Sequence, residues 1–304
     1  MDPDKVSVSA LISAFARAYH ATHDDPKIFD DYLAIQLFTD EEQAMFSNNL
    51  ARSLQFFDPE RAAATPEQAA ALAAAMRIQL APITLSRARY AEDRLELAVQ
   101  NGVRQYVILG AGFDTFAFRR PDLLRELHVF ELDHPATQAY KSRRLAELGW
   151  QNPASLHYIP TDFTQESLSN ALAHSDYAPQ ALSFFSWLGV TYYLDRDIIF
   201  ATLRAIGGVA PAGSAVVFDY PDTDAFVPDK AAVRMQRMQA ASRQSGEPMK
   251  GGLDPATLAA DLAALGLHLR ENLSPSDIEL RYFQGRADGY HAFEQVHFAE
   301  AVVA

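Results

Sequence analysis

Two hydrophobic rhythms divide the chain. Over residues 1–100 apolar positions recur at helical spacing: Leu11, Phe15, Ala18 and Tyr19 mark a first helix, with Ser7 or Ser9 available as its N-cap. The alanine-rich tract 62–75 reads as helix, with Thr65, Pro66 and Gln68 placed as N-cap, first-position proline and capping-box partner. Residues 83–100 read as a second long helix that Asn101 and Gly102 stop. From Val103 the period changes. Short apolar runs at 105–109, 128–132, 155–159, 182–187 and 214–220 predict strands. Between them, 135–148, 166–174 and 195–206 predict helices, the last closed by Gly207 and Gly208. Residues 229–243 and 254–265 follow as helices with Asp229 and Asp254 as caps, and 267–273 and 294–303 as closing strands. Apolar strands alternating with helices predict an α/β fold: a mostly parallel, twisted sheet covered by helices on both faces. The N-terminal helices make a cap (1–100) on an α/β domain (101–304), and with no linker between them the two are expected to fold as one unit.

Composition narrows the partners. With 26 Lys and Arg against 39 Asp and Glu, the net charge of −13 repels phosphate backbones and anionic lipid, so neither nucleic acid nor membrane is expected as a partner. Lys141, Arg143 and Arg144 read as the solvated face of one helix. Cysteine is absent, which excludes thiolate chemistry and fits a cytoplasmic location, and the opening Met-Asp-Pro-Asp is too acidic for a secretory signal. His20, His23, Asp24 and Asp25, closed by Pro26, read as a solvated turn rather than a metal site, and no metal is expected.

Candidate chemistry begins at the first strand. Val107, Ile108 and Leu109 run into Gly110, Ala111 and Gly112, where the chain turns sharply and a ligand can approach the backbone, and Asp114 follows. Asp133 ends the second strand, 23 positions after Gly110. That is close to the spacing of about twenty residues at which a βαβ unit sets an acid on ribose hydroxyls. A dinucleotide fingerprint would require a third glycine where Thr115 stands, and Pro121 cuts short the helix that a pyrophosphate would face. S-adenosylmethionine carries no phosphate and tolerates such a turn.

The blocks Leu109-Gly-Ala-Gly-Phe-Asp-Thr115 and Phe130-Glu-Leu-Asp-His-Pro135, followed by Ile159-Pro-Thr-Asp-Phe163 and Phe185-Ser-Trp-Leu-Gly-Val-Thr-Tyr-Tyr-Leu194, occur in order. Together they resemble the leucine carboxyl methyltransferase family of S-adenosylmethionine-dependent methyltransferases. The likeness is strongest to bacterial members, which include enzymes acting on polyketide carboxyl groups. It implies a Rossmann-like class I methyltransferase fold ending in an antiparallel strand pair, with S-adenosylmethionine as cofactor. It also implies an arginine before the first strand, matched by Arg87, for the cofactor's carboxylate, and a second basic position matched by Arg17. Leu188 stands where eukaryotic members have a glutamate, so a protein phosphatase substrate does not follow.

Residues just past the strand ends are the remaining candidates. Asp162 and Phe163 suit the adenine amino group and purine face, or else cap and staple the next helix. Leu188 and Gly189 would floor the site. Arg87 could equally form a surface ion pair. Tyr192, Tyr193 and Tyr220 could hydrogen-bond an acceptor or simply pack; His134 reads as a helix start and His157 as core, so no catalytic base stands out. An ionised carboxylate needs none. The expected acceptor is therefore a carboxyl or phenolic hydroxyl of a small molecule, in an apolar-walled pocket; Phe15, Tyr19, Phe29, Tyr32, Phe184, Phe185, Trp187, Tyr192 and Tyr193 supply aromatic surface for it, although spacing alone reads much of that set as core. A nicotinamide oxidoreductase and a non-catalytic cofactor-binding protein are the alternatives. The protein could be a monomer or a homodimer.

Overall fold

The computed structural model describes residues 6–79, 81–163 and 165–304; the acidic opening Met-Asp-Pro-Asp lies outside them. Helix α1 (Val8–His23) starts at Ser7, whose hydroxyl accepts from the Ala10 N–H. Of the residues read as a solvated turn, His23, Asp25 and Pro26 are exposed and Asp24 is half-buried, whereas His20 departs from that reading. His20 is fully buried, with Nδ1 2.7 Å from Asp24 Oδ2 and Nε2 accepting from the Ile28 N–H. That backbone bond leaves the ring proton on Nδ1, facing the carboxylate. Among the described residues no cluster of three or more His, Asp or Glu could hold a metal.

Helix α2 (Asp40–Phe57) opens with a complete capping box between Thr39 and Glu42. The alanine-rich tract forms two helices rather than one, α3 (Pro59–Ala64) and α4 (Gln68–Ile78). Pro66 drives Thr65 out of the helical region (φ −128°, ψ 70°), so Thr65 ends α3 and the expected capping box does not form. Helix α5 (Ala81–Gln100) stops at Gly102, which takes φ +96°.

Strand β1 (Gln105–Leu109) leads through the short helix α6 (Phe116–Arg119) to β2 (His128–Asp133), α7 (Pro135–Glu147), β3 (Leu156–Pro160) and α8 (Leu168–Ala173). Then come β4 (Ser183–Trp187), α9 (Arg196–Val209), β5 (Ala215–Pro221), α10 (Val233–Gln244), α11 (Leu258–Ala263), β6 (Leu267–Leu273), α12 (Pro275–Ile278) and β7 (Val296–Val303). Three expected termini move. Helix α9 runs through Gly207, where a Cβ would lie 3.1 Å from the Leu265 carbonyl oxygen, so this glycine serves close packing rather than termination. Helix α10 begins at Val233, not Asp229, and α11 at Leu258, where Asp254 instead caps a preceding turn through the Ala256 N–H.

The seven strands lie in the order β3-β2-β1-β4-β5-β7-β6. Strands β1 to β5 pair in parallel, and β7 inserts antiparallel between β5 and β6. Alternate residues of each strand feed two cores. Tyr106 and Ile108 pack with Phe184 and Val217 against Phe15, Leu85 and Leu95 of the N-terminal helices. Val107 and Leu109 face the opposite way with Phe130, Phe185 and Phe218, under Ile199, Leu203 and Leu258. Strand order reverses between β1 and β4, and a crevice opens at the carboxyl ends of those strands.

Candidate active site

A cavity of about 750 Å³ fills that crevice, walled by the sheet on one side and the N-terminal helices on the other. The turn after β1 is built for close approach. Gly110 and Gly112 take φ +73° and +51°; a Cβ on the first would collide with Val190, and one on the second would lie 3.1 Å from Ala10 Cβ of α1. Asp133 closes the turn from β2: Gly112 N–H donates to its Oδ2, and His134 N–H to its Oδ1 at 2.6 Å. Burial raises the carboxyl of Asp133, and these two bonds pull it the other way. Asp114 accepts the Phe116 N–H at 2.6 Å. Asp133, Asp114, Ala111, Asp162, Phe163 and Leu188 all line the cavity.

Both candidate arginines also line it, and both arrive with an acid. Arg17 bonds Asp31 Oδ2 through Nε at 2.8 Å and the Phe113 carbonyl through Nη2 at 2.8 Å, which fastens α1 to the glycine turn. Arg87 Nη1 meets Asp219 Oδ2 at 3.0 Å, and the guanidinium stands where a Cβ on Gly189 would be. This is a buried pair, not the surface pair that sequence left open. Asp219 was not anticipated. Fully buried in β5, it also accepts from the Gly189 N–H at 2.6 Å and the Tyr192 hydroxyl at 2.8 Å, while its carbonyl takes the Thr191 hydroxyl. The available signal was a lone carboxylate in the run Ala-Val-Val-Phe-Asp-Tyr-Pro, because a charge inside a central strand must find partners.

The tyrosine candidates separate. Tyr192 and Tyr193 line the cavity, and burial pushes both phenols up, so they stay protonated near neutral pH and serve as donors rather than bases. Tyr220 does not line it; its hydroxyl donates to Asn272 on β6. His134 lines the cavity as the cap of α7. The aromatic candidates separate as well. Of the nine residues expected, Phe29, Tyr192 and Tyr193 reach the cavity, whereas Phe15, Tyr19, Phe184, Phe185 and Trp187 are core and Tyr32 is 52% exposed. Phe46, Phe57, Tyr106, Phe113 and Phe293 line it as well, beside Phe163.

The donor set suits a nucleoside without a pyrophosphate. A buried carboxylate faces a glycine turn that admits no side chain, and the helix after the turn has only four residues. Comparison with known proteins agrees. The profile of the leucine carboxyl methyltransferase family matches residues 10–207. YktD of Bacillus subtilis (strain 168), provisionally named an S-adenosyl-L-methionine-dependent methyltransferase, is 39% identical over 99% of both chains. A Mycobacterium ulcerans (strain Agy99) protein with the same provisional description is 30% identical over 79% of this chain and 74% of its own. Among solved structures, a DUF574 family protein from Streptomyces avermitilis MA-4680 superposes with a TM-score of 0.59 at 12% identity, covering 96% of this chain and 97% of that one. A Thermobifida fusca YX protein, provisionally described as a methyltransferase, gives 0.54 at 16% identity, covering 83% and 93%. The nicotinamide alternative falls with these matches. The chain belongs to the leucine carboxyl methyltransferase family and is an S-adenosylmethionine-dependent methyltransferase.

Proposed function

We propose that the enzyme O-methylates a carboxyl or phenolic hydroxyl group of a small molecule, a secondary metabolite, held between the strand ends and the N-terminal helices. The observation that carries this reading is the shape and lining of the cavity: a polar nucleoside end at the strand termini, continuous with apolar walls from the helices. In this reading Asp133 accepts the ribose hydroxyls, Asp162 and Phe163 take the adenine, and Gly110, Ala111, Gly112, Asp114 and Leu188, which line the same cavity, enclose the remainder. The cofactor's amino-acid tail is a zwitterion. Arg17 paired with Asp31, both lining the cavity, offers it one group of each sign, and Arg87, held by Asp219, offers a second guanidinium for the carboxylate.

When bound, S-adenosylmethionine supplies an electrophilic methyl group. The chain's own contribution is alignment and exclusion of water, and alignment alone is worth up to about 7–11 kcal/mol. The test is transfer of labelled methyl to a panel of aromatic acids, phenols and a peptide ending in a leucine carboxylate. Mild base then separates esters, which hydrolyse, from ethers. Aromatic acids or phenols are expected to accept the label and the peptide to be poor. Methylation of the peptide alone would restore a protein substrate.

A further inference from the structure

The helical wall of the cavity has a polar end of its own. Gln79, which caps the C-terminus of α4, donates from Nε2 to Ser53 Oγ of α2 at 2.8 Å, and both residues line the cavity. Thr84, in the first turn of α5, lines it too. Gln79 is 8% exposed and Thr84 only 2%. Among the described residues the Thr84 hydroxyl has no hydrogen-bond partner. A buried hydroxyl left unpaired is costly, and a ligand that supplies its partner removes that cost. Helix α2 lines the cavity with Phe46, Asn49, Leu50, Ser53 and Phe57, and Ile83 stands beside Thr84.

From this arrangement we infer a second recognition site, formed by Ser53, Gln79 and Thr84, for a neutral hydroxyl or carbonyl group of the acceptor. The inference rests on the cavity being the acceptor site, and it narrows the acceptor class to a carboxylic acid or phenol bearing an uncharged oxygen away from the methylated group. Two hydroxyls can each donate or accept, and the Gln79 carboxamide offers both functions, so a neutral oxygen is matched in either role. Ser53, Gln79 and Thr84 carry no charge, so a charged group would be desolvated against them with no counter-charge from the three.

The test uses the full chain loaded with S-adenosylhomocysteine and two probes of matched size, para-(hydroxymethyl)phenylpropanoic acid and para-ethylphenylpropanoic acid. Calorimetry on the wild type should give about fivefold tighter binding of the hydroxymethyl compound, the worth of one net hydrogen bond. Thr84→Val, which keeps the shape, and Gln79→Leu should each bring the ratio of the two affinities close to one. Affinity for S-adenosylhomocysteine should not change in either variant, which shows that the fold and cofactor site are intact. No preference in the wild type, or the same preference in both variants, overturns the site. Methyl transfer to both probes is followed in parallel. A preference that depends on Gln79 and Thr84 without any transfer would refute the acceptor reading while leaving the polar site standing.

Discussion

At the scale of the residue, Asp133 and Asp219 divide the work of the crevice. Asp133 is committed to the turn after β1, where it takes the Gly112 and His134 N–H groups and lines the cavity. A ligand hydroxyl donating to it makes a charge-assisted bond in partly desolvated surroundings. Asp133→Ala should therefore weaken S-adenosylhomocysteine binding by about 1.5–3 kcal/mol, measured by calorimetry. Unchanged affinity would show that the carboxylate only caps the turn. Asp219 instead holds other residues in place: Arg87, Gly189 and Tyr192 all bond to it. Asp133 was legible from sequence because its partner, Gly112, lies in the same βαβ unit. Asp219 was not, because Arg87 is 132 positions away.

At the scale of the element, β2 and α7 are joined by an ion pair where a solvated face was expected. Lys141 and Glu131 are each 1% exposed, with Nζ 2.6 Å from Oε2, and Gln138 adds a bond to the Glu131 carbonyl. A helix that packs on a sheet buries a whole face, and Lys141 falls on it; composition alone does not show which face that is. Removing one partner of a buried pair leaves the other charge uncompensated. Lys141→Met should lower stability by about 3–5 kcal/mol in urea denaturation, and combining it with Glu131→Gln should restore most of the loss. Burial, opposed by Lys141, pushes the Glu131 carboxyl up to about 7. The folded state thus holds this proton more tightly than the unfolded chain does. Stability from this group accordingly declines as pH rises from the ordinary glutamate range to about 7 and levels off above it. Wild-type stability relative to Glu131→Gln, followed from about pH 5 to about pH 8, should trace that fall. A flat difference would mean that Glu131 is ionised throughout.

At the scale of the whole molecule, the N-terminal helices are part of the site. Arg17 reaches the Phe113 carbonyl, Ala10 packs on Gly112, and Ser7 and Ser9 both bond Glu247 in the loop after α10. A ligand in the cavity touches the sheet, the helices and that loop together, so its binding energy should stabilise the molecule as a unit. S-adenosylmethionine and S-adenosylhomocysteine should each raise Tm, with a gain of about 2.7 kcal/mol when the ligand is at a hundred times its Kd. NAD and NADP should leave Tm unchanged. A shift confined to NADP would contradict the nucleoside site described here. Among the described residues no single helix is long and apolar enough to cross a membrane.

The sequence by itself determined the alternation of strands and helices from β1 onward and the strand ends that border the crevice. Strand β1, its glycine turn and the acid of β2 depend on contacts within about thirty residues, and the alternation of apolar and polar positions already states them. The same holds for Leu188, Asp162 and Phe163, which follow strands that share one direction and so finish on one edge of the sheet. Only the tertiary structure decided the rest. The insertion of β7 between β5 and β6 and the Arg87–Asp219 pair each join segments far apart in the chain. Their local patterns are compatible with many neighbours. Which neighbour is met depends on how the helices stack over the sheet, and that is settled by burying the largest apolar area at once.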